Sequence, residues 1–176
     1  YHLLTGVDLP LKPVEDILSF FDACGSVEFI SFNRWSPKDY ERVLFTYPYQ
    51  DRLYRGFLEK KVRRIGVLLQ RLFRYKRATS IAQFGIGSAY FDITDYMARY
   101  VCSRQDWIAQ HFKHTFCADE VFLQTIYLAM PHPNKRYESA INDLAIEKTY
   151  QDVVRAIDWF RGSPYTYTLA DWPFLK

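Results

Sequence analysis

The 176-residue sequence has no apolar run approaching the ~20 residues a membrane-spanning helix needs, which excludes such a helix within these residues. Its three cysteines, Cys24, Cys102 and Cys117, are odd in number and lack metal-ligand spacing. That pattern argues against a secreted disulfide framework and fits thiols in a reducing compartment, so a cytoplasmic location is expected. The opening residues YHLLTGVDLPLKP lack the charged start, apolar middle and cleavage site of a signal peptide. They read instead as a core strand and a turn, so the natural protein is expected to begin upstream. No glycine-rich phosphate loop, no Ser/His/Asp order, no internal repeat and no low-complexity linker occurs. The histidines are His2, His111, His114 and His132. His111 and His114 share a helical face, but without further ligands they suit a surface or helix-end role better than a metal.

What is present is apolar and aromatic. A 49% hydrophobic content is enough for one globular domain over residues 1–176 with a real core, and argues against disorder. Fourteen Tyr, fourteen Phe and four Trp exceed what a core alone tends to need, and such rings stack on sugar faces while offering polar edges. The net charge of +3 is unevenly placed. Between Leu58 and Arg77 eight basic residues face the single acid Glu59, so this span carries +7 and the rest −4.

Along the chain, residues 1–5 read as a short buried strand and GVDLP as a turn. A helix follows from Pro13, with Val14, Ile17, Leu18 and Phe21 at helical spacing, until Gly25. Residues 28–32 and 42–47 read as strands around a polar loop, 33–41. Residues 50–77 read as largely helical, with Leu58, Val62, Ile65, Leu69 and Leu72 as one apolar stripe. Two short strands, 81–84 and 89–93, flank the FGIGS turn, and Thr94 caps a helix reaching about Val101, with another helix after it. In CADEVFLQTIYLAM the acidic pair starts a helix, where negative charge is favoured, with Val121, Ile126 and Leu128 or Ala129 facing inward. Residues 152–160 read as a last strand, and GSPYTYTLADWP as a loop.

Four segments, in order, resemble the core-2/I-branching glycosyltransferases and their bacterial relatives: YHLLTGVDLPLKP, FGIGSAYFDIT, TFCADEVFLQT and RAIDWFRGSPYTYTLAD. The resemblance spans essentially the whole chain. It implies an α/β fold, a glycosyltransferase-A-type, Rossmann-like sandwich present in part, because the family's nucleotide-binding first part would precede Tyr1. It also implies an inverting enzyme that moves a sugar, commonly N-acetylglucosamine, from a uridine diphosphate donor to an acceptor hydroxyl of a glycan or lipid-linked acceptor. A basic motif that neutralises the donor diphosphate in the family would follow residues 169–172, and the chain ends at Lys176 before it.

Inverting transfer requires a base to take the acceptor proton as the hydroxyl attacks. The resemblance puts that role on Glu120, with Asp119 beside it; helix-start electrostatics is the plain alternative. No Asp-x-Asp motif is present, the nearest pairs being Asp39 with Glu41 and Asp92 with Asp95. Resemblance implies a metal-independent enzyme needing no cofactor beyond its nucleotide-sugar substrate, with basic residues stabilising the leaving diphosphate. Arg161 is the local candidate. Asp8 follows the family's first central strand in this chain and either holds substrate or fixes its own turn. In FGIGSAYF, Ser88 follows a glycine that lets backbone approach a ligand, and Tyr90 stands where relatives commonly have tryptophan. Trp159 matches a tryptophan that lines the acceptor pocket, with a buried core ring as the other reading, and Arg34 and Arg42 lie where relatives contact the acceptor, with a solvated charge as the other reading.

The basic span from Lys60 to Arg77 suits an amphipathic helix on anionic lipid, peripheral at the inner face of a membrane, and the alternative to an enzyme is a non-catalytic membrane-surface or partner-binding module that uses the basic helix 58–77. A helix packed on the core with a solvated basic face is the other reading. Nucleic acid is not expected, since the rest of the chain is net acidic and no recognised motif accompanies the patch.

Overall fold

The computed structural model describes residues 1–47, 57–77, 79–138, 154–158, 160–162 and 164–175, with side chains in the third helix from Lys61 onward. Among them it is a mixed α/β structure. The elements are α1 (Val14–Cys24), β1 (Val27–Ile30), α2 (Pro37–Leu44), α3 (Phe57–Leu72), β2 (Phe91–Asp92), α4 (Asp95–Ser103), α5 (Gln105–Phe112), α6 (Phe122–Ala129), β3 (Lys135–Arg136) and α7 (Trp172–Leu175). Two compact units form: Tyr1–Ser31 with Tyr90–Ala98 and His132–Lys176, and Phe32–Ala89 with Arg99–Pro131.

The first unit is built on a three-stranded mixed sheet of order β2-β1-β3, with β1 antiparallel to β2 and parallel to β3. Phe29 and Ile30 are buried. Phe21 of α1 packs edge-on against Phe29 at 5.1 Å, and Tyr137 stacks on Phe29 at 4.5 Å and meets Phe20 of α1 at 6.2 Å. These offset aromatic contacts dock α1 onto the sheet. Pro13 stands just outside α1, acidic Glu15 and Asp16 occupy its first turn, and Gly25 leaves it at φ 64°, a left-handed angle glycine adopts without strain.

Two carboxylates of the sheet, Glu28 on β1 and Asp92 on β2, are buried. Glu28 is 1% exposed. It accepts hydrogen bonds from Thr94 N–H (2.9 Å), the Thr94 hydroxyl (2.6 Å) and the Asn134 amide (2.8 Å). The Thr94 hydroxyl also accepts from Met97 N–H at the start of α4, the cap expected there. Asp92 takes a two-pronged contact from Arg155 (3.0 Å to each carboxylate oxygen) and bonds His2 at 2.9 Å.

Near the end of the chain, Arg161 bridges Asp158 and Asp171 (2.5 and 2.6 Å) above the Tyr165 ring. Hydrogen bonds from Thr168 N–H, then from Arg161, hold Asp171 down to about 2 from its ordinary 3.8. A depressed carboxylate pKa contributes stability that is present above the unfolded-state value and lost as pH falls through the folded one. In thermal unfolding, the difference between the parent protein and Asp171→Asn is therefore expected to be constant at neutral pH, and to close as pH drops from about 4 toward 2.

The second unit packs α2, α5, α6 and the 81–87 segment around Val43, Ile86, Phe112 and Val121, all buried, with Trp35, Phe84 and Trp107 against them. The Trp35 indole N–H donates to the Phe84 carbonyl at 2.9 Å, so this ring joins the core with its polar edge satisfied.

Several expectations are corrected. Residues 1–5 do pair with β2, through the His2–Asp92 bridge and Leu3 N–H to the Phe91 carbonyl, but they are exposed rather than buried. Residues 37–44 are helix, neither loop nor strand. Ser36 and Asp39 form an N-terminal box, with Ser36 N–H donating to the Asp39 carboxylate at 2.8 Å and Pro37 opening the helix. That local stop-and-start signal outweighs the β-favouring run after Arg42. Residues 81–84 pack as irregular chain against the core, not as a strand, and 154–158 are not strand either. The acidic pair does not start α6, which begins at Phe122 after the short turn Ala118–Glu120; Val121 just before it and Ile126 within it face inward as expected, but Leu128 and Ala129 are exposed and Met130, just after it, is buried. The supposed terminal loop contains the short turn Leu169–Asp171 and α7. The α3 stripe is helical but does not pack on the core: Val62, Ile65, Leu69 and Leu72 are exposed. No helix among the described residues is long and apolar enough to cross a membrane.

Candidate functional site

In the second unit, residues 84–89, the FGIGSA part of FGIGSAYF, and the CADEVFLQT segment lie side by side. Gly85 N–H donates to the Thr125 hydroxyl (3.1 Å), Gly87 N–H to the Glu120 carbonyl (2.9 Å), and the Gln124 amide to the Ser88 carbonyl (2.8 Å). Gly85 and Thr125 are both buried, so the bond between them is shielded from water and costly to break. The glycine at 85 is what allows the approach. A Cβ there would stand 2.6 Å from the Gln124 Cβ and 2.8 Å from its backbone carbon.

Gly85→Ala should therefore cost about 1–3 kcal/mol, the usual range for overpacking. Gly66 in α3 provides the opposite case, because nothing lies within 4 Å of its added Cβ. Gly66→Ala should stabilise the protein by about 1 kcal/mol through helix propensity. Urea unfolding of both variants checks the pair; equal effects would contradict the close contact.

Glu120 closes a short helical turn, Ala118–Glu120, directly before α6. The turn begins at Cys117, which holds a left-handed backbone (φ 49°) that is rare outside glycine and costs energy. The Glu120 side chain is 39% exposed, and its Oε2 accepts a charge-assisted hydrogen bond from Arg42 Nη1. Arg42 comes from the last turn of α2 and also lies 3.4 Å from Asp39, which the capping box holds in place. Burial works to lower the pKa of Arg42. The hydrogen bond and charge of Glu120, with Cys117 and Asp39 behind them, outweigh it and raise the guanidinium above its ordinary value. The pair is thus a fixed cation orienting a carboxylate that stays partly open to solvent.

The other candidates are placed as follows. Asp119 is exposed on the same turn, and Arg34 is exposed on the chain between β1 and α2. Ser88 is half-buried beside Gln124. In the first unit, Asp8 accepts from Thr5 N–H at 2.7 Å, fixing its own turn. The Tyr90 ring lies 5.9 Å from the Arg155 guanidinium. Arg161 is already engaged by two carboxylates. Trp159 lies outside the described residues, as do 48–56 and 139–153.

Two participants escaped sequence reading. Gln124 is the residue of CADEVFLQT that ties the segment to Ser88, and Arg155 opens the RAIDW segment and reaches Asp92, 63 positions away. Only long-range pairing distinguishes these side chains from their sequence neighbours. No protein-family model, curated protein or solved structure matches the chain.

Proposed function

We propose that the protein is an inverting, metal-independent glycosyltransferase on a glycosyltransferase-A-type fold. It moves a sugar, N-acetylglucosamine being the first candidate, from a uridine diphosphate donor to an acceptor hydroxyl. Glu120 is the general base. What carries the reading is the junction of the two segments that bear the family resemblance: Gly87 N–H holds the Glu120 carbonyl, and Arg42 holds the Glu120 carboxylate. A base needs a carboxylate that is fixed in direction yet reachable by an acceptor hydroxyl. A carboxylate anchored through its main chain to a neighbouring glycine segment, oriented by a guanidinium and still partly exposed, meets both needs.

As the acceptor oxygen forms its bond to the anomeric carbon, its proton passes to the Glu120 carboxylate, and the bond to the diphosphate breaks with its electron pair leaving on the diphosphate. Arg42 keeps the carboxylate from rotating away during that transfer. The test is calorimetric titration with uridine diphosphate and its N-acetylglucosamine conjugate, with and without a chelator, on the parent protein and Glu120→Gln. Chelator-insensitive binding by both proteins, with transfer by the parent alone, is the expected result. Absence of binding by either ligand would remove the donor half of the proposal.

A further inference from the structure

The face of α3 turned from the second unit's core has the composition of a core face. Its inward side is identified by its contacts. The Gln70 amide donates to the Thr46 carbonyl (3.0 Å) and accepts from Thr46 N–H (2.8 Å), Arg71 pairs with Glu41, and Arg63 lies 4.5 Å above the Phe116 ring. On the outward side, Ile65, Leu68 and Leu72 repeat at helical spacing and are 56%, 61% and 71% exposed, with Leu69 and Phe73 exposed at their flank. Arg64, Arg74 and Lys76 are exposed too. A helix of a water-soluble domain turns such a stripe inward and its charges outward; here both face solvent.

We infer that this face docks on an anionic lipid bilayer. Apolar side chains enter the boundary between headgroups and acyl chains, while cations beside them meet lipid phosphates and carboxylates. The charge distribution selects this occupant. Of the cations concentrated in 58–77, Arg64, Arg74 and Lys76 are exposed and carry none of the inward contacts of Arg63 and Arg71, while the remainder of the sequence is net negative, so exposed positive charge accompanies the apolar stripe. A second copy would bring like charges together across a two-fold contact. Nucleic acid would engage the cations but leave the leucines in water. The inference is independent of any role for Glu120.

Flotation with phosphatidylcholine vesicles, with and without phosphatidylserine, tests it. Binding is expected only where phosphatidylserine is present, and it should weaken as salt rises. Replacing Ile65, Leu68 and Leu72 together by serine should reduce partitioning about tenfold or more. Replacing Arg64, Arg74 and Lys76 by glutamine should reduce it about a hundredfold. All six side chains are exposed, and circular dichroism matching the parent confirms that the variants are folded. As a separate readout, the fluorescence of Leu68→Trp should shift to the blue on anionic vesicles. The proposal is overturned if the protein stays with the unbound fraction, if the serine variant binds as the parent does, or if the tryptophan emission does not move. It is likewise overturned if the serine changes convert a dimer to a monomer, or if only the cations matter and DNA is retained in place of vesicles.

Discussion

Glu120→Gln is expected to lower sugar transfer by about 10²–10⁴-fold, the usual contribution of a positioned general base, while nucleotide binding persists. The change is nearly isosteric. The amide oxygen can still accept from Arg42 Nη1, so the turn Ala118–Glu120 and its link to Gly87 keep their geometry. What disappears is the capacity to take a proton. Loss of activity with binding and folding intact therefore isolates the chemical step. Glu120→Asp separates position from chemistry: it remains a carboxylate but falls short by one methylene, and a displacement of that order is enough to cost activity. A Glu120→Gln protein that transfers sugar at the parent's rate would assign the base elsewhere.

The second large effect belongs to stability. Glu28→Ala removes the acceptor for Thr94 N–H, the Thr94 hydroxyl and the Asn134 amide at a position almost without solvent. A buried donor left unsatisfied costs about 1–3 kcal/mol, and the hydroxyl alone can turn toward another partner, so a loss of about 3–5 kcal/mol is expected. Against a typical total of about 5–15 kcal/mol, that brings the protein close to unfolding at room temperature. Glu28→Gln should cost less, about 1–3 kcal/mol, because one oxygen remains and only one donor meets another donor. Urea denaturation followed by circular dichroism ranks the two variants. If alanine costs no more than glutamine, the hydrogen-bond network is not what holds β1 to the start of α4.

Legibility in the sequence followed the range of the interactions. Pro13 and Gly25 bracket α1, and Thr94 caps α4, because each acts on backbone within a turn of itself. The helix at α2 was also locally encoded, in Ser36, Pro37 and Asp39, yet the run of Val43, Leu44 and Phe45 imitates a strand, and short apolar runs do not distinguish the two. Periodicity identified α3 as a helix but is silent on which side meets the protein. That is decided by Gln70 against Thr46 and Arg63 against Phe116. The pairing of Arg42 with Glu120 spans 78 positions, and no spacing rule reaches so far. Resemblance singles out Glu120 and its region singles out Arg42, but only folding brings the two side chains together.

The hydrogen bond from Gly87 to the Glu120 carbonyl has a kinetic side. The amide hydrogen of Gly87 exchanges with solvent deuterium only when that bond opens, and opening requires the turn carrying Glu120 to part from the glycine segment. Its protection is thus a gauge built into the main chain. It reports the fraction of time for which the carboxylate's anchor is open, without altering a side chain.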